Sequence, residues 1–120
     1  MIKGAYSLRG KPSKYKNDKV TFRGETFDSK KEFEYYLILK DREKRGEIIA
    51  LQRQYTIVIQ PSFKMPSGQK IRQITYIADF VYRDLKDGEL HYIDVKGYKT
   101  EIYKLKKKLL AYKGIYIEEV

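Results

Sequence analysis

Two apolar runs, each with a carboxylate set inside it, constrain this chain more than any other feature. Asp79 sits within Ile77-Ala78-Asp79-Phe80-Val81, and Asp94 lies between Tyr92-Ile93 and Val95-Lys96. A buried carboxylate without partners is expensive, so ionised groups in strands this apolar need a reason. Between the runs lies Asp87-Gly88, a strong hairpin signal. With those two residues at the centre of a tight turn, Lys86 pairs with Glu89, Asp79 faces Lys96 and Val81 faces Asp94. Paired residues share a sheet face, and so do residues two apart on one strand, so all three ionisable groups gather on one side. Direct partners have Cβ atoms about 5 Å apart and diagonal ones roughly 7–8 Å, a gap that a single cation can bridge. A longer turn of the same parity keeps the cluster, whereas a one-residue slip scatters it.

The flanking pattern supplies the other elements. Val20 to Phe27 alternates around Arg23-Gly24, which predicts a short hairpin. Ser29 then opens a helix; Glu32 follows it at capping-box spacing, and Gly46 ends the helix after Lys44-Arg45. Residues 52–60 are rich in strand formers and stop at Pro61, Met65-Pro66-Ser67-Gly68 is a turn, and residues 71–83 and 89–96 read as two further strands. A second helix runs from about Thr100 to Lys113, with Ile102, Leu105, Leu109 and Tyr112 on one face and Lys104, Lys107 and Lys108 elsewhere. Gly114 ends it, and residues 115–119 make a last strand. The expected architecture is α/β: a single domain over residues 20–120, with a mixed β-sheet flanked by helices in the order α-β-β-β-α-β. Residues 1–19 are expected to be a basic N-terminal arm, flexible or loosely docked.

Charge is concentrated at two places. Of a net +10, residues 1–19 carry six Lys or Arg against Asp18, and residues 96–113 carry seven Lys against Glu101. Basic blocks on either side of a near-neutral body suit a polyanion held from two sides. No cysteine is present, which excludes disulfides, thiolate zinc sites and cysteine nucleophiles. The single histidine, His91, leaves no histidine-metal finger, and no glycine loop for cradling phosphates occurs. No apolar run reaches the ~20 residues of a membrane span. A cytoplasmic protein with no membrane association and no small-molecule cofactor is expected.

Glu32 is a further anomaly. On a helical wheel Lys30, Glu34 and Asp41 form the polar side, while Glu32 falls almost opposite, beside Tyr36 and Leu39. An acid on an apolar face is explained either by the capping box or by a metal site. Gln54, on the strand that follows, lies where it can touch such a site or simply occupy a strand surface. The twelve tyrosines belong mainly to core and rim packing.

Asp79, the triplet Asp94-Val95-Lys96 and Glu32, in that spatial order of elements, resemble the PD-(D/E)xK nuclease superfamily, with Ala78 where its name has proline. Phe27-Asp28-Ser29-Lys30-Lys31-Glu32, Thr75-Tyr76-Ile77-Ala78-Asp79-Phe80 and Asp94-Val95-Lys96-Gly97 are similar to a family of small phage and prophage proteins of undefined function, over most of the chain from Val20 onward. Kin of this build include phage Holliday-junction resolvases and transposon end-cutting nucleases. The resemblance implies a metal-dependent endonuclease acting on DNA, on branched or distorted substrates, in phage or prophage recombination and replication within a bacterial host cell. It implies Glu32, Asp79, Asp94 and Lys96 as catalytic residues, with Mg²⁺ or Mn²⁺ held by Asp79, Asp94 and the backbone carbonyl of Val95, and with Glu32 on that ion's water shell or on a second ion. Lys96 would orient the attacking water or neutralise developing charge. Lys99, Thr100, Lys104 and Lys107 are the expected phosphate contacts. Cutting a junction on two strands requires two sites, hence a homodimer. The alternatives are a non-catalytic nucleic-acid-binding module on the same scaffold, and an interaction protein whose basic helix docks on an acidic surface.

Overall fold

The computed structural model describes residues 19–95 and 100–120 together with the backbone of residues 6–9. Of the expected basic arm, Tyr6–Arg9 forms strand β1 and the stretches 1–5 and 10–18 lie outside the described residues. β1 pairs antiparallel with β2 (Lys19–Phe22), which turns at Arg23-Gly24 into β3 (Glu25–Phe27). Arg23 and Gly24 both adopt positive φ, 51° and 81°, the geometry of the tight two-residue turn that the alternation predicts. Val20 and Phe27 are opposed across this ribbon and pack on Phe33.

Helix α1 (Lys30–Lys44) starts where the sequence places it. Ser29 is extended, and its Oγ accepts from the Glu32 N–H at 3.0 Å. The helix lays Leu39 on the sheet, and Leu39, Ile48, Phe80 and Ile93 are all fully buried in one cluster. Side chains of this kind contribute about 1.5–3 kcal/mol each when buried.

The main sheet follows: β4 (Ile48–Gln60), β7 (Ile74–Asp84), β8 (Leu90–Asp94) and β9 (Ile117–Glu119), in that spatial order. β7 runs antiparallel to both β4 and β8, and β9 joins β8 in parallel through helix α2 (Glu101–Tyr112). A two-residue ribbon, β5 (Phe63–Lys64) and β6 (Lys70–Ile71), is inserted between β4 and β7 around the Met65–Gly68 turn. The main order is helix, three strands, helix, strand: an α/β domain with a mixed sheet. A second cluster joins Ile57, Tyr76, Ala78 and Ile117 to Leu110 of α2. The inward residues of β7 thus divide between the clusters, Tyr76 and Ala78 toward α2, Phe80 and Tyr82 toward α1, with Asp79 at the division.

Helix α2 is oriented otherwise than its apolar face suggests. Such a face ordinarily meets the core. Here Ile102, Leu105, Leu109 and Tyr112 are exposed, Tyr112 at 92%, while Leu110 is fully buried and Tyr103 is half-buried. The Tyr103 ring packs tilted against that of Tyr76, centroids 6.0 Å apart, and Leu110 enters the second cluster. Packing against the Tyr76 ring sets which side turns inward. Among the described residues no helix is long and apolar enough to cross a membrane.

Candidate functional site

The hairpin between β7 and β8 determines how the two strand acids meet. Its loop holds four residues, Leu85 to Gly88, because Asp84 pairs with Glu89: the Asp84 N–H donates to the Glu89 carbonyl at 3.0 Å. Side chains stabilise this wider loop. Asp84 Oδ1 accepts from the Lys86 N–H and Asp87 Oδ1 from the Glu89 N–H, both at 2.8 Å. The register is therefore Val81 opposite Tyr92 and Phe80 opposite Ile93, two residues from the pairing expected for a tight Asp87-Gly88 turn. Asp94 is therefore next in line with Asp79, where a tight turn is expected to put Lys96. Parity is unchanged, so Asp79 and Asp94 still share a face.

Both carboxylates are buried, each with 1% of its surface exposed. Asp79 Oδ2 accepts a 2.7 Å hydrogen bond from the Val95 N–H, which clamps the end of β8 to the middle of β7. Asp94 Oδ2 accepts from the Tyr76 hydroxyl. Burial and then this hydrogen bond to Asp94 push the Tyr76 phenol well above its ordinary range, so it stays a donor. The Asp94 carbonyl accepts from the Val120 N–H at 3.0 Å, fixing the same residue from the β9 side.

Glu32, 2% exposed, approaches from α1. Its Oε2 accepts from Gln54 Nε2 at 3.3 Å and lies 3.6 Å from Arg53 Nη2. Arg53 is held in turn by Glu25 Oε1 at 2.9 Å, the Thr26 carbonyl at 2.8 Å and the Phe27 ring beneath its guanidinium. Gln54 lies between the paired positions Arg53–Phe80 and Tyr55–Ala78, level with Asp79 on the neighbouring strand. Its φ of 50° is left-handed, a conformation costing about 1–3 kcal/mol for a non-glycine residue. Strain thus falls at the level of β4 that links Glu32 to Asp79.

A cavity of about 420 Å³ opens beside Asp94, walled by Thr75, Tyr76 and Ile77 of β7 and by Thr100, Tyr103 and Lys106 from the α2 side. Thr100 also caps α2, its Oγ1 accepting from the Tyr103 N–H at 3.0 Å. Of the other expected phosphate contacts, Lys104 is paired with Glu101 at 3.1 Å and Lys107 with Glu119 at 3.0 Å. Lys96 and Lys99 lie outside the described residues.

Of the residues around these acids, the sequence reading gives Tyr76, Arg53 and Lys106 no role at the site. Tyr76 is one more tyrosine in a strand, Arg53 one more cation, and Lys106 one of several lysines on α2. Only cross-strand packing distinguishes them.

A family profile described as "Protein of unknown function (DUF1064)" matches residues 12–119. The chain belongs to that family. The DUF1064 match spans Glu32, Gln54, Tyr76, Asp79 and Asp94, so it covers the whole cluster, although membership by itself assigns no activity. No curated protein and no solved structure matches the chain.

Proposed function

We propose that this DUF1064 protein is a metal-dependent endodeoxyribonuclease of the PD-(D/E)xK type, acting on branched or distorted DNA. One observation carries the reading: two buried carboxylates, Asp79 and Asp94, lie next in register on adjacent strands, and Asp94 lines an open cavity. Two like charges so placed repel in a medium of low polarity, and a bound cation would turn that cost into affinity. The donor set is hard oxygen throughout, which suits Mg²⁺ or Mn²⁺ and not a soft metal. Asp79, Asp94 and the Val95 carbonyl would hold the ion, and Glu32 would bind its water shell or a second ion. When bound, it supplies Lewis-acid polarisation of the phosphate and lowers the pKa of water.

The chain's own groups have separate tasks. The Val95 N–H orients the Asp79 carboxylate, and the Tyr76 hydroxyl orients that of Asp94. Gln54 orients Glu32. Lys106 and Thr100, at the cavity wall, are placed to receive a phosphate oxygen from the strand being cut. Lys96 keeps the part that the superfamily resemblance gives it, neutralising charge at the attacked phosphate. Two cuts across a junction carry with them a homodimer.

The test is a panel of labelled duplex, flap, single-stranded and four-way DNA incubated with Mg²⁺ or Mn²⁺, with and without chelator. Metal-dependent cutting by the wild type, with Asp79→Asn binding the same DNA but leaving it whole, is the expected outcome. Binding by the wild type without cutting in either metal would instead make the chain a nucleic-acid-binding module on this scaffold. A sedimentation profile that stays monomeric at micromolar concentration, with and without DNA, would remove the dimer.

A further inference from the structure

The ribbon between β4 and β7 lies in a stretch of the chain that carries cations and no acids. No Asp or Glu occurs between Glu47 and Asp79, while Arg53, Lys64, Lys70 and Arg72 do. Three of those cations stand on or beside the β5–β6 ribbon, and residues 61–70 and Arg72 are exposed throughout. Lys64 and Lys70 are direct cross-strand partners. Like charges directly opposite each other on a two-stranded ribbon destabilise it, and here no acid lies in the intervening sequence to offset them. Phe63 and Met65, 49% and 41% exposed, add large apolar surface to the same element.

Nothing in the core requires this arrangement. The turn is closed by the Met65 N–H on the Gln69 carbonyl and the Gly68 N–H on the Met65 carbonyl, both at 2.8 Å, so the ribbon is formed without the lysines. A dense anionic partner would remove the repulsion between the lysine pair. A two-stranded ribbon is also of a width that DNA grooves admit, and exposed apolar side chains beside cations suit contact with sugars and base edges.

From this we infer that the β5–β6 ribbon is a DNA-gripping finger, with Lys64, Lys70 and Arg72 on the phosphates of the duplex arm next to the cut. The inference rests on the nuclease reading and extends it. β7 runs directly from Ile74, two residues after Arg72, to Asp79. Five residues of strand span roughly 17 Å, so a duplex lying on the ribbon passes the acid cluster within the same helical turn.

The experiment uses the full chain and the variant Lys64→Ala/Lys70→Ala/Arg72→Ala. Anisotropy with a fluorescein-labelled four-way junction is followed across a salt series, in chelator so that no cutting intervenes. The variant is expected to bind about tenfold or more weakly, with the slope of log K against log salt reduced by about 2 to 3. Lys64→Arg/Lys70→Arg/Arg72→Lys should restore both, and Lys86→Ala, on the distant hairpin loop, should change neither. An unchanged melting temperature in the alanine variant separates lost contacts from lost folding.

Unchanged affinity and slope, with the wild type binding and cutting DNA, would overturn the finger and leave the nuclease standing. A wild type that binds no DNA at low salt would overturn both. If the alanine variant loses binding to phosphatidylserine vesicles but not to DNA, the ribbon faces a membrane and the inference is wrong.

Discussion

The β7–β8 hairpin carries an acid cluster at each end, and the two are built in opposite ways. At the loop end, Asp84, Asp87 and His91 bring their ligand-capable atoms within 4.8 Å of one another. That cluster is wet and already balanced. Asp84 is paired with Arg42 at 3.2 Å, while His91 bridges Asp87 at 2.9 Å and Glu118 at 2.6 Å and stacks on Tyr82. At the other end, Asp79 and Asp94 are buried, and the Val95 N–H and the Tyr76 hydroxyl are among the groups that hold them. Ligand spacing alone would favour the loop end as a metal site. Burial favours the other, because water disperses charge at the loop and cannot do so between the strands. The comparison separates acids that tie a hairpin to its neighbours at the surface from acids held in the interior of the sheet.

The largest test of that contrast is cleavage. We expect Asp79→Asn to lower the cutting rate by about 10²–10³-fold, the loss typical of one preorganised electrostatic group, and Asp84→Asn to leave it near wild type. Equal losses in a gel-based nicking assay would mean that the two ends act as one site.

Next in size is metal-linked stability. A ligand at a hundred times its Kd adds about 2.7 kcal/mol. Saturating Mn²⁺ should therefore raise the melting temperature of the wild type by several degrees, and should fail to do so in Asp79→Asn. The shift should survive Asp87→Asn. If calorimetry shows the reverse, the loop cluster is the cation site.

A smaller effect concerns the neutral donor. Tyr76→Phe removes a hydrogen bond to a buried carboxylate, and such bonds contribute about 1.5–3 kcal/mol. Denaturant midpoints should fall accordingly, and the midpoint of Mn²⁺ binding should weaken with them. Loss of stability with unchanged Mn²⁺ affinity would show that Tyr76 only packs.

The smallest is a pH dependence at the loop end. Partial burial works against the charged form of His91, but its hydrogen bonds to Asp87 and Glu118 outweigh that, and its pKa lies above the ordinary imidazole value of 6.5. A group raised on folding stabilises fully below its unfolded pKa and loses that contribution as pH rises through the folded value. Thermal stability should accordingly drop slightly as pH climbs above about 6.5, and His91→Gln should flatten the profile. A step that persists in the variant would belong to another group.

Much of the framework was legible because it depends on near neighbours in the chain. Ser29 caps α1 through a hydrogen bond made three residues away, and Arg23-Gly24 sets a hairpin by its own dihedral angles. The parity of the β7–β8 hairpin was equally legible, since alternation fixes which residues share a face, and burial of Glu32 followed from its place on the apolar side of α1. The register itself was not. Asp84 and Asp87 stabilise a four-residue loop by side-chain hydrogen bonds, and the Asp-Gly signal does not count them.

What the sequence by itself determined, then, is the order of the main elements, the start of α1 and the side of the sheet on which Asp79 and Asp94 lie. Those depend on backbone preferences and on the spacing of apolar residues. Tertiary structure alone decided that Asp94 falls in register with Asp79, that Gln54 adopts a left-handed φ as it reaches Glu32, and that α2 turns Leu110 inward and leaves Ile102, Leu105 and Leu109 in solvent. A helical period shows which residues share a face. Which face meets the sheet depends on rings such as Tyr76 and Tyr103 coming together from far apart in the chain.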